Sequence, residues 1–370
     1  FKIREFIKRM QVKEIKLRNY RNINNLNLKF SNNINIIIGK NGVGKTNIIE
    51  SIYLIGLTKS FRTNFDNELI MFNKEALRVE AKIKKDKFID KINLVINDKQ
   101  KKISLNDNKV NVLRDYIGLY PLIISTPEDI FLIKGSPGDR RSFLNISISQ
   151  FDNKYIKVIN EYNRILKHRN DYLKEMYLKS NSDSRYFDIM TDELIKREVY
   201  IYQKRYSYIE EINNYLGDIY KNISLLEGLK LKYKSLIKFK KLDEDAMTKL
   251  LKKKYKENLN KEIELGITTI GPHRDDFDFM LKDKNMKIFS SEGEKKLAVI
   301  SLKLSEMILY KENKNLKPVI LYDDLFSELD IKNRNRLINY IPSDLQVFIT
   351  SNDLRGINKN IKEKANIIKL

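Results

Sequence analysis

Eight consecutive residues, Gly39-Lys40-Asn41-Gly42-Val43-Gly44-Lys45-Thr46, fit the pattern G-x-x-x-x-G-K-[ST]. The chemistry of that spacing is phosphate binding. Glycines let successive backbone N–H groups turn inward, Lys45 is suited to neutralise β- and γ-phosphates, and the Thr46 hydroxyl suits Mg²⁺. The apolar run Ile34–Ile38 before the loop reads as a buried strand, and Asn47–Ile52 after it reads as the start of a helix. Strand, loop and helix N-terminus together make an anion cradle, so a nucleoside triphosphate site is expected here.

A second set of candidate groups lies far along the chain. Val319-Ile320-Leu321-Tyr322-Asp323-Asp324 is an apolar strand pattern ending in two carboxylates. Beside a phosphate loop, Asp323 is suited to hold Mg²⁺, directly or through water, and Asp324 to polarise an attacking water as a general base. Taken alone, the same pattern is a strand running into an acidic turn. Upstream, Ser291-Glu292-Gly293-Glu294 opens a long helical pattern. Ser291 and Gly293 at a helix N-terminus offer a second phosphate contact, although Ser followed by Glu at the third position is also a helix cap. Ser327-Glu328-Leu329-Asp330 follows the acidic pair.

These groups need elements to position them. Strand patterns cover Val12–Leu17, Leu26–Phe30, Leu77–Ile83, Ile89–Ile96 and Lys102–Leu105, with few helices before about residue 120. One phosphate-loop helix among meandering strands implies an α/β core carrying an added antiparallel sheet. The middle changes character. Ile159, Tyr162, Leu166, Arg169, Leu173 and Met176, and then Ile195, Val199, Tyr202, Tyr206, Ile209, Asn213 and Leu216, step by three and four. They predict an antiparallel helical pair with a loop over Lys179–Arg185. Leu229–Ile237 alternates apolar residues with Lys230, Lys232 and Lys234, and Lys249–Lys261, containing Lys252, Lys253 and Lys254, predicts a very basic helix. Beyond that, Leu297–Leu309 and Arg334–Tyr340 are helical patterns, and Pro318–Tyr322 and Gln346–Thr350 are strands. The expected organisation is an N-terminal ATPase part over 10–125, a helical arm with a basic face over 126–285, and a C-terminal ATPase part over 286–370.

Composition narrows the class. The chain has 370 residues, 42% of them hydrophobic, enough to bury a substantial core and too many for a disordered chain. It has no cysteine, so disulfides and cysteine–metal sites are absent, and its two histidines leave little for a zinc site. No apolar run approaches the roughly 18–20 residues that span a bilayer. Phe1–Met10 is too short and charged for a signal peptide, Met10 is expected as the true start, and a cytoplasmic location follows. The formal net charge is +22. A lysine-rich genome bias accounts for part of it; the functional reading is binding to a nucleic acid backbone. Charge runs are usually solvated surface, yet the lysines at 230, 232, 234 and 252–254 are also the natural DNA-facing candidates.

The ordered set of phosphate loop, S-x-G-E, strand with two acids and S-x-L-D resembles ABC-type ATPases. In that class the Ser–Gly element of one head closes over ATP held by the phosphate loop of another. A transporter subunit is disfavoured by the long basic centre and by Ser351-Asn352-Asp353, where transporter ATPases usually carry a histidine. The likeness then sharpens. Val12–Asn22, Lys59-Ser60-Phe61-Arg62-Thr63, Pro127–Pro137 leading into Arg140–Leu144, Gly271-Pro272-His273-Arg274-Asp275-Asp276 and Asp323–Asp330 resemble the RecF recombination-repair family, in family order over nearly the whole chain. SMC proteins have far longer arms. Two departures are Glu294, where the family mostly has Gln, and Asn145, where Asp is usual.

The resemblance implies a fold and a mode of action. The fold is an ABC-type ATPase head, a phosphate-loop core plus antiparallel sheet, with an inserted helical arm. The activity is a weak DNA-stimulated ATPase using ATP and Mg²⁺ that dimerises head to head and clamps double-stranded, gapped DNA, with RecR and RecO as partners. Arg62 is implied near the base or ribose of ATP, and Glu128 and Asp129 near a Mg²⁺-sensing loop. Arg140 and Arg141 are read as intramolecular clamps ahead of DNA contacts, and His273 as structural. Two alternatives stay open: an ATP-gated clamp with negligible turnover, and another SMC-like ABC ATPase.

Overall fold

The computed structural model describes residues 8–178, 184–314, 316–324, 329, 331–340, 344–354 and 359–370. Ser327, Glu328 and Asp330 of the S-x-L-D element, and most of the expected loop after Lys179, lie outside them. The contacts divide the chain into two units: Phe1–Ile130 with Tyr215–Leu229 and Ser290–Leu370, and Phe131–Asn214 with Lys230–Phe289.

The first unit contains two sheets. In the parallel one the strand order is Asn366–Lys369, Ile34–Ile38, Val347–Ser351, Val319–Tyr322 and Leu122–Ser125. These strands come from three widely separated stretches of the sequence, 34–38, 122–125 and 319–369, and the strand Val347–Ser351 stands between the phosphate-loop strand and the acidic strand. The other sheet is largely antiparallel. Lys8–Tyr20 pairs with Ile23–Lys29 and with Ala76–Lys85, followed by Phe88–Asn97, Lys101–Leu105 and Asn108–Lys109. The expected strands are all present, each within a few residues of its pattern. Leu122–Ser125, buried at all four positions, and Asn366–Lys369 carry no alternation, both being too short to show a period.

Between the sheets runs the helix Lys45–Leu57. Every residue in it is buried except Thr46 and Asn47. Its isoleucines and Leu54 join the same core as Val12, Leu17, Leu77, Leu94, Leu122 and Leu321. At about 1.5–3 kcal/mol for each buried large aliphatic side chain, that packing pins the helix so that only its first turn faces outward.

The second unit is helical with a small three-stranded sheet of Leu229–Lys234, Asp276–Leu281 and Lys284–Asn285. The predicted helical pair is Asn153–Leu178 and Ser184–Ser224, the latter belonging to this unit as far as Asn214. Glu161 meets Arg197 while Tyr172 stacks on Phe187, so later residues of one helix face earlier residues of the other, as an antiparallel pair requires. The second helix already includes Arg185, which the polar composition had placed in the loop. The basic helix is longer than its lysine run, Glu244–Leu265, because Asp243 caps it through the Ala246 N–H and Gly266 ends it in the left-handed conformation.

The interior of this unit is polar to an unusual degree. Arg169 and Glu262 pair at 2.8 Å with both side chains fully buried, and Arg169 also donates to Thr191 and Thr268. Arg205 donates to the Tyr155 hydroxyl, the Pro272 carbonyl and Asn145. Asn145 thus serves as an uncharged acceptor for a buried guanidinium. Arg140 forks onto Asp276 at 2.6 and 2.9 Å, and Arg141 donates to the Asp275 carbonyl. Both arginines clamp the unit internally. His273 accepts from or donates to Tyr162 through Nδ1 at 2.5 Å, and burial pushes it down to about 4, so it is neutral and structural.

Candidate nucleotide-binding site

The phosphate loop spans the gap between the strand Ile34–Ile38 and the helix that begins at Lys45. Gly42 and Gly44 have φ of 83° and 108°, values that side chains with a Cβ rarely adopt, so the turn depends on glycine at both positions. Gly39 is required for space: a Cβ there would lie 2.8 Å from Val43 Cγ2. Gly44 caps the helix without any side-chain hydrogen bond to its first N–H groups. Lys40, Asn41, Gly42 and Val43 are exposed, and the open helix end behind them is suited to an anion.

Lys45 is folded back over this loop. Its ammonium donates to the carbonyls of Gly39 at 2.7 Å and Lys40 at 3.0 Å, and to Asn352 Oδ1 at 2.9 Å. Thr46 Oγ1 lies 3.0 Å from both carboxylate oxygens of Asp323. Thr350 donates to Asp323 Oδ1 at 2.7 Å and accepts the Asp324 N–H at 2.8 Å. Burial pushes the Asp323 carboxyl above the usual carboxylate range, with the Thr350 and Thr46 hydrogen bonds pulling the other way. Asp324 has φ 46°, a left-handed backbone at the end of its strand. That turn separates the two neighbouring carboxylates: Asp323 faces Thr46, while Asp324 is held by its backbone to Thr350.

Thr46 and Asp323 supply hard oxygen donors side by side, which fits Mg²⁺. That ion keeps most of its water and phosphate ligands and needs only one or two protein oxygens. Among the described residues no group of three or more His, Asp or Glu could hold a metal without such help.

A second network reaches the loop from the side. Glu50, fully buried in the phosphate-loop helix, receives a two-point contact from Arg21 at 3.0 and 2.7 Å and the Ser60 hydroxyl at 2.6 Å. Arg62 lies 3.7 Å from Glu50 and donates to Asn47 at 2.9 Å. Asn47 donates to Asn22, and Asn22 to the Gly42 carbonyl. Arg62 is therefore exposed but oriented, linked to the loop through the Asn47 and Asn22 side chains.

Ser291 and Gly293 stand at the N-terminus of the helix Glu292–Lys314, exposed. The Ser291 N–H donates to the Glu294 carboxylate at 2.9 Å, and Ser291 Oγ accepts the Glu294 N–H at 3.3 Å, a reciprocal cap. The Ser291 hydroxyl proton stays available. Nothing lies within 4 Å of a Cβ built on Gly293. No hydrogen bond or ion pair among the described residues joins Ser291 or Gly293 to the phosphate loop. Asp129 pairs with Lys303 at 3.6 Å and caps the Thr126 N–H, while Glu128 is exposed.

The basic candidates belong to the other unit. Lys230, Lys232 and Lys234 all lie on the exposed face of their strand. Lys230 pairs with Asp283 at 2.6 Å and Lys234 with Asp278. Lys252 pairs with Asp192, and Lys253 and Lys254 with Glu257. Composition alone had shown a run of positive charge; the folded surface carries carboxylates beside nearly every lysine of it.

Thr350, Glu50, Asn22 and Asn47 are the site residues that motif reading passed over; Asn352 had been noted only for standing where transporter ATPases usually carry a histidine. Thr350 had one visible signal, a hydroxyl ending an otherwise apolar strand. Glu50 had another, a carboxylate in a helix of buried residues.

A phosphate loop, an acidic strand one strand away in a parallel sheet and an attached antiparallel sheet define an ABC-type ATPase head. Residues 11–368 match the RecF/RecN/SMC N terminal domain family. A DNA replication and repair protein RecF of Ligilactobacillus salivarius is 34% identical over 98% of this chain and 96% of its own length, and one of Listeria innocua is 36% identical over 96% of each. The chain belongs to the RecF family. Two solved RecF structures of the RecFOR pathway, with ATP and with ATPrS, superpose with TM-scores of 0.88 and 0.87 at 30% identity, covering 97% and 94% of this chain and 96% and 94% of theirs. An Smc head domain from Pyrococcus furiosus, at 16% identity and TM-score 0.53, shares the fold. No described helix is long and apolar enough to cross a membrane.

Proposed function

We propose that this protein is an ATP-driven DNA clamp of replication-gap repair. ATP with Mg²⁺ binds the loop Gly39–Thr46, two heads close around two nucleotides, the closed pair holds double-stranded DNA at gaps, and slow hydrolysis releases it. The observation that carries this reading is the convergence of Lys45, Thr46 and Asp323 at the carboxyl ends of two interior strands of the parallel sheet. Bound Mg²⁺ would supply charge neutralisation at the terminal phosphates, held by Thr46 and Asp323. Lys45 exchanges its carbonyl partners for phosphate oxygens, and Asp324 orients water at the acidic strand's end. The exposed Ser291 hydroxyl, and open space over Gly293, leave room for a partner's nucleotide. RecO and RecR are proposed as partners from the pathway of the similar RecF structures.

The lysines at 230, 232, 234 and 252–254 are proposed to contact DNA phosphates by exchanging local carboxylates for the backbone. Such exchange favours weak, salt-sensitive binding. Phosphate release and sedimentation of Asp324→Asn beside the parent test the scheme. The variant is expected to keep ATP binding, lose most turnover and accumulate dimer. A parent with no turnover above the Asp324→Asn background would leave an ATP-gated structural clamp instead.

A further inference from the structure

Three cations gather at one end of the antiparallel sheet. Arg9 and Lys13 come from the strand Lys8–Tyr20, and Lys84 from Ala76–Lys85, where it stands across from Gln11. Arg9 Nη2 donates to the Asn32 carbonyl at 2.8 Å and to Asn33 Oδ1 at 2.7 Å, while Arg9 Nε has no partner among the described residues. Lys13 donates to Gln11 Oε1 at 2.7 Å and to Asn32 Oδ1. Burial, with the charges of Lys84 and Arg9, holds the Lys13 ammonium below the usual lysine range. Asp86, in the adjoining turn, takes the Arg9 backbone N–H, and among the described residues no ion pair joins a carboxylate to Arg9, Lys13 or Lys84. Lys82, one step along the same face, does have one, with Glu14 at 2.6 Å. Neutral oxygens thus order Arg9 and Lys13 without neutralising them. Like charges gathered in a partly desolvated place repel, so the arrangement favours a bound anion.

An apolar pair adjoins the cluster. Ile89 lies directly across from Lys84, and Phe88 closes the end of the same hairpin; they are 54% and 77% exposed. Asn32 and Asn33 precede the strand Ile34–Ile38, whose other end enters the phosphate loop, so about 17 Å of strand separates the cluster from the nucleotide end of the sheet. A phosphate backbone would answer the charges alone and leave Phe88 and Ile89 in water. Apolar anchors with a charged rim are what protein interfaces bury. We infer that this end of the sheet is a docking surface for an acidic segment of a protein partner. Carboxylates of that segment meet Arg9, Lys13 and Lys84, and an apolar side chain packs against Ile89 and Phe88. Such docking needs no nucleotide.

The test is fluorescence anisotropy of the full chain, without nucleotide, using a fluorescein-labelled peptide in which aspartates flank one leucine–phenylalanine pair. Lys13→Gln with Lys84→Gln, and separately Phe88→Ser with Ile89→Ser, are each expected to weaken the peptide about tenfold. Lys16→Gln with Lys102→Gln removes the same charge from exposed positions elsewhere in the sheet and should weaken it less than about twofold. Peptides with asparagine for aspartate, or serine for the apolar pair, should lose affinity for the parent to a similar degree as the matching protein variants. Duplex DNA of about 20 base pairs is the counter-probe, and Lys13→Gln with Lys84→Gln should leave its affinity within about twofold of the parent's. A duplex weakened as strongly as the peptide would assign the cluster to nucleic acid and overturn the inference. A parent that does not bind the peptide overturns it too, as do equal losses in the Lys16 and Lys102 variant, which would mean attraction to net charge alone. Should the Lys13 variant not fold, Phe88→Ser with Ile89→Ser decides, since both side chains are exposed: unchanged peptide affinity there removes the docking surface.

Discussion

Replacing Glu198 by Gln should stabilise the helical unit at mildly alkaline pH and abolish part of its pH dependence. Glu198 is fully buried, and burial pushes its carboxyl up to about 8. The groups around it offset that burial only in part. Tyr255 donates to Oε1 at 2.6 Å, while among the described residues Oε2 has no hydrogen-bond partner of good geometry. The nearby Arg169 is committed to Glu262, Thr191 and Thr268. Tyr162, His273 and Asp275 complete the surroundings; burial pushes Asp275 up to about 6 and His273 down to about 4. An acid with a raised folded pKa is protonated in the fold and ionised when unfolded between the two values. Stability therefore falls as pH rises across that window, by about 1.4 kcal/mol per pH unit for one proton. His273 has the opposite slope from about 4 to its ordinary value of 6.5, and Asp275 stops contributing near 6, so above pH 6.5 Glu198 acts alone among the three. From pH 6.5 to 8 the parent should lose about 2 kcal/mol relative to Glu198→Gln, which keeps an acceptor for Tyr255 without a titrating proton. Urea unfolding at both pH values, followed by far-ultraviolet circular dichroism and tyrosine fluorescence, reads the difference. Parallel pH dependence in the two proteins would show that Glu198 does not hold a proton in the fold.

Lys45→Ala should weaken ATP by at least tenfold, about 1.4 kcal/mol, with circular dichroism unchanged; equal affinity in equilibrium titration would remove the phosphate-loop assignment. Ser291→Arg, at an exposed helix start with no bond to its own loop, should leave ATP binding by the monomer intact and abolish ATP-driven dimers in sedimentation. Loss of monomer binding in that variant would mean that the site closes within one chain. Reversing Lys230, Lys232 and Lys234 to Glu should lower the slope of log affinity for duplex DNA against log salt by about 0.9 for each lysine that contacts a phosphate. An unchanged slope would move DNA binding away from that strand.

Local chemistry was legible in the sequence because it is written in neighbouring residues. The loop Gly39–Thr46 needs its glycines where they stand, and the helix behind it is declared by an apolar run. The antiparallel strands Ala76–Lys85 and Phe88–Asn97 alternate because one sheet face is buried. Ser291 and Glu294 were readable as a cap and are one. The tertiary structure decided which distant groups share a site. Nothing in Val347–Ser351 announces that it lies between the phosphate-loop strand and the acidic strand, yet that order delivers Thr350 to Asp323 and Asn352 to Lys45. It decided charge as well, since the lysine-rich strand and helix meet Asp283, Asp278 and Asp192 only after folding. It also made Glu198 a buried acid, where the helical stepping of residues 195–216 showed only which face turns inward. The physical reason is common to all three. Sequence spacing governs dihedral angles and which face of an element is apolar, whereas strand order and desolvation are set by packing among segments hundreds of residues apart.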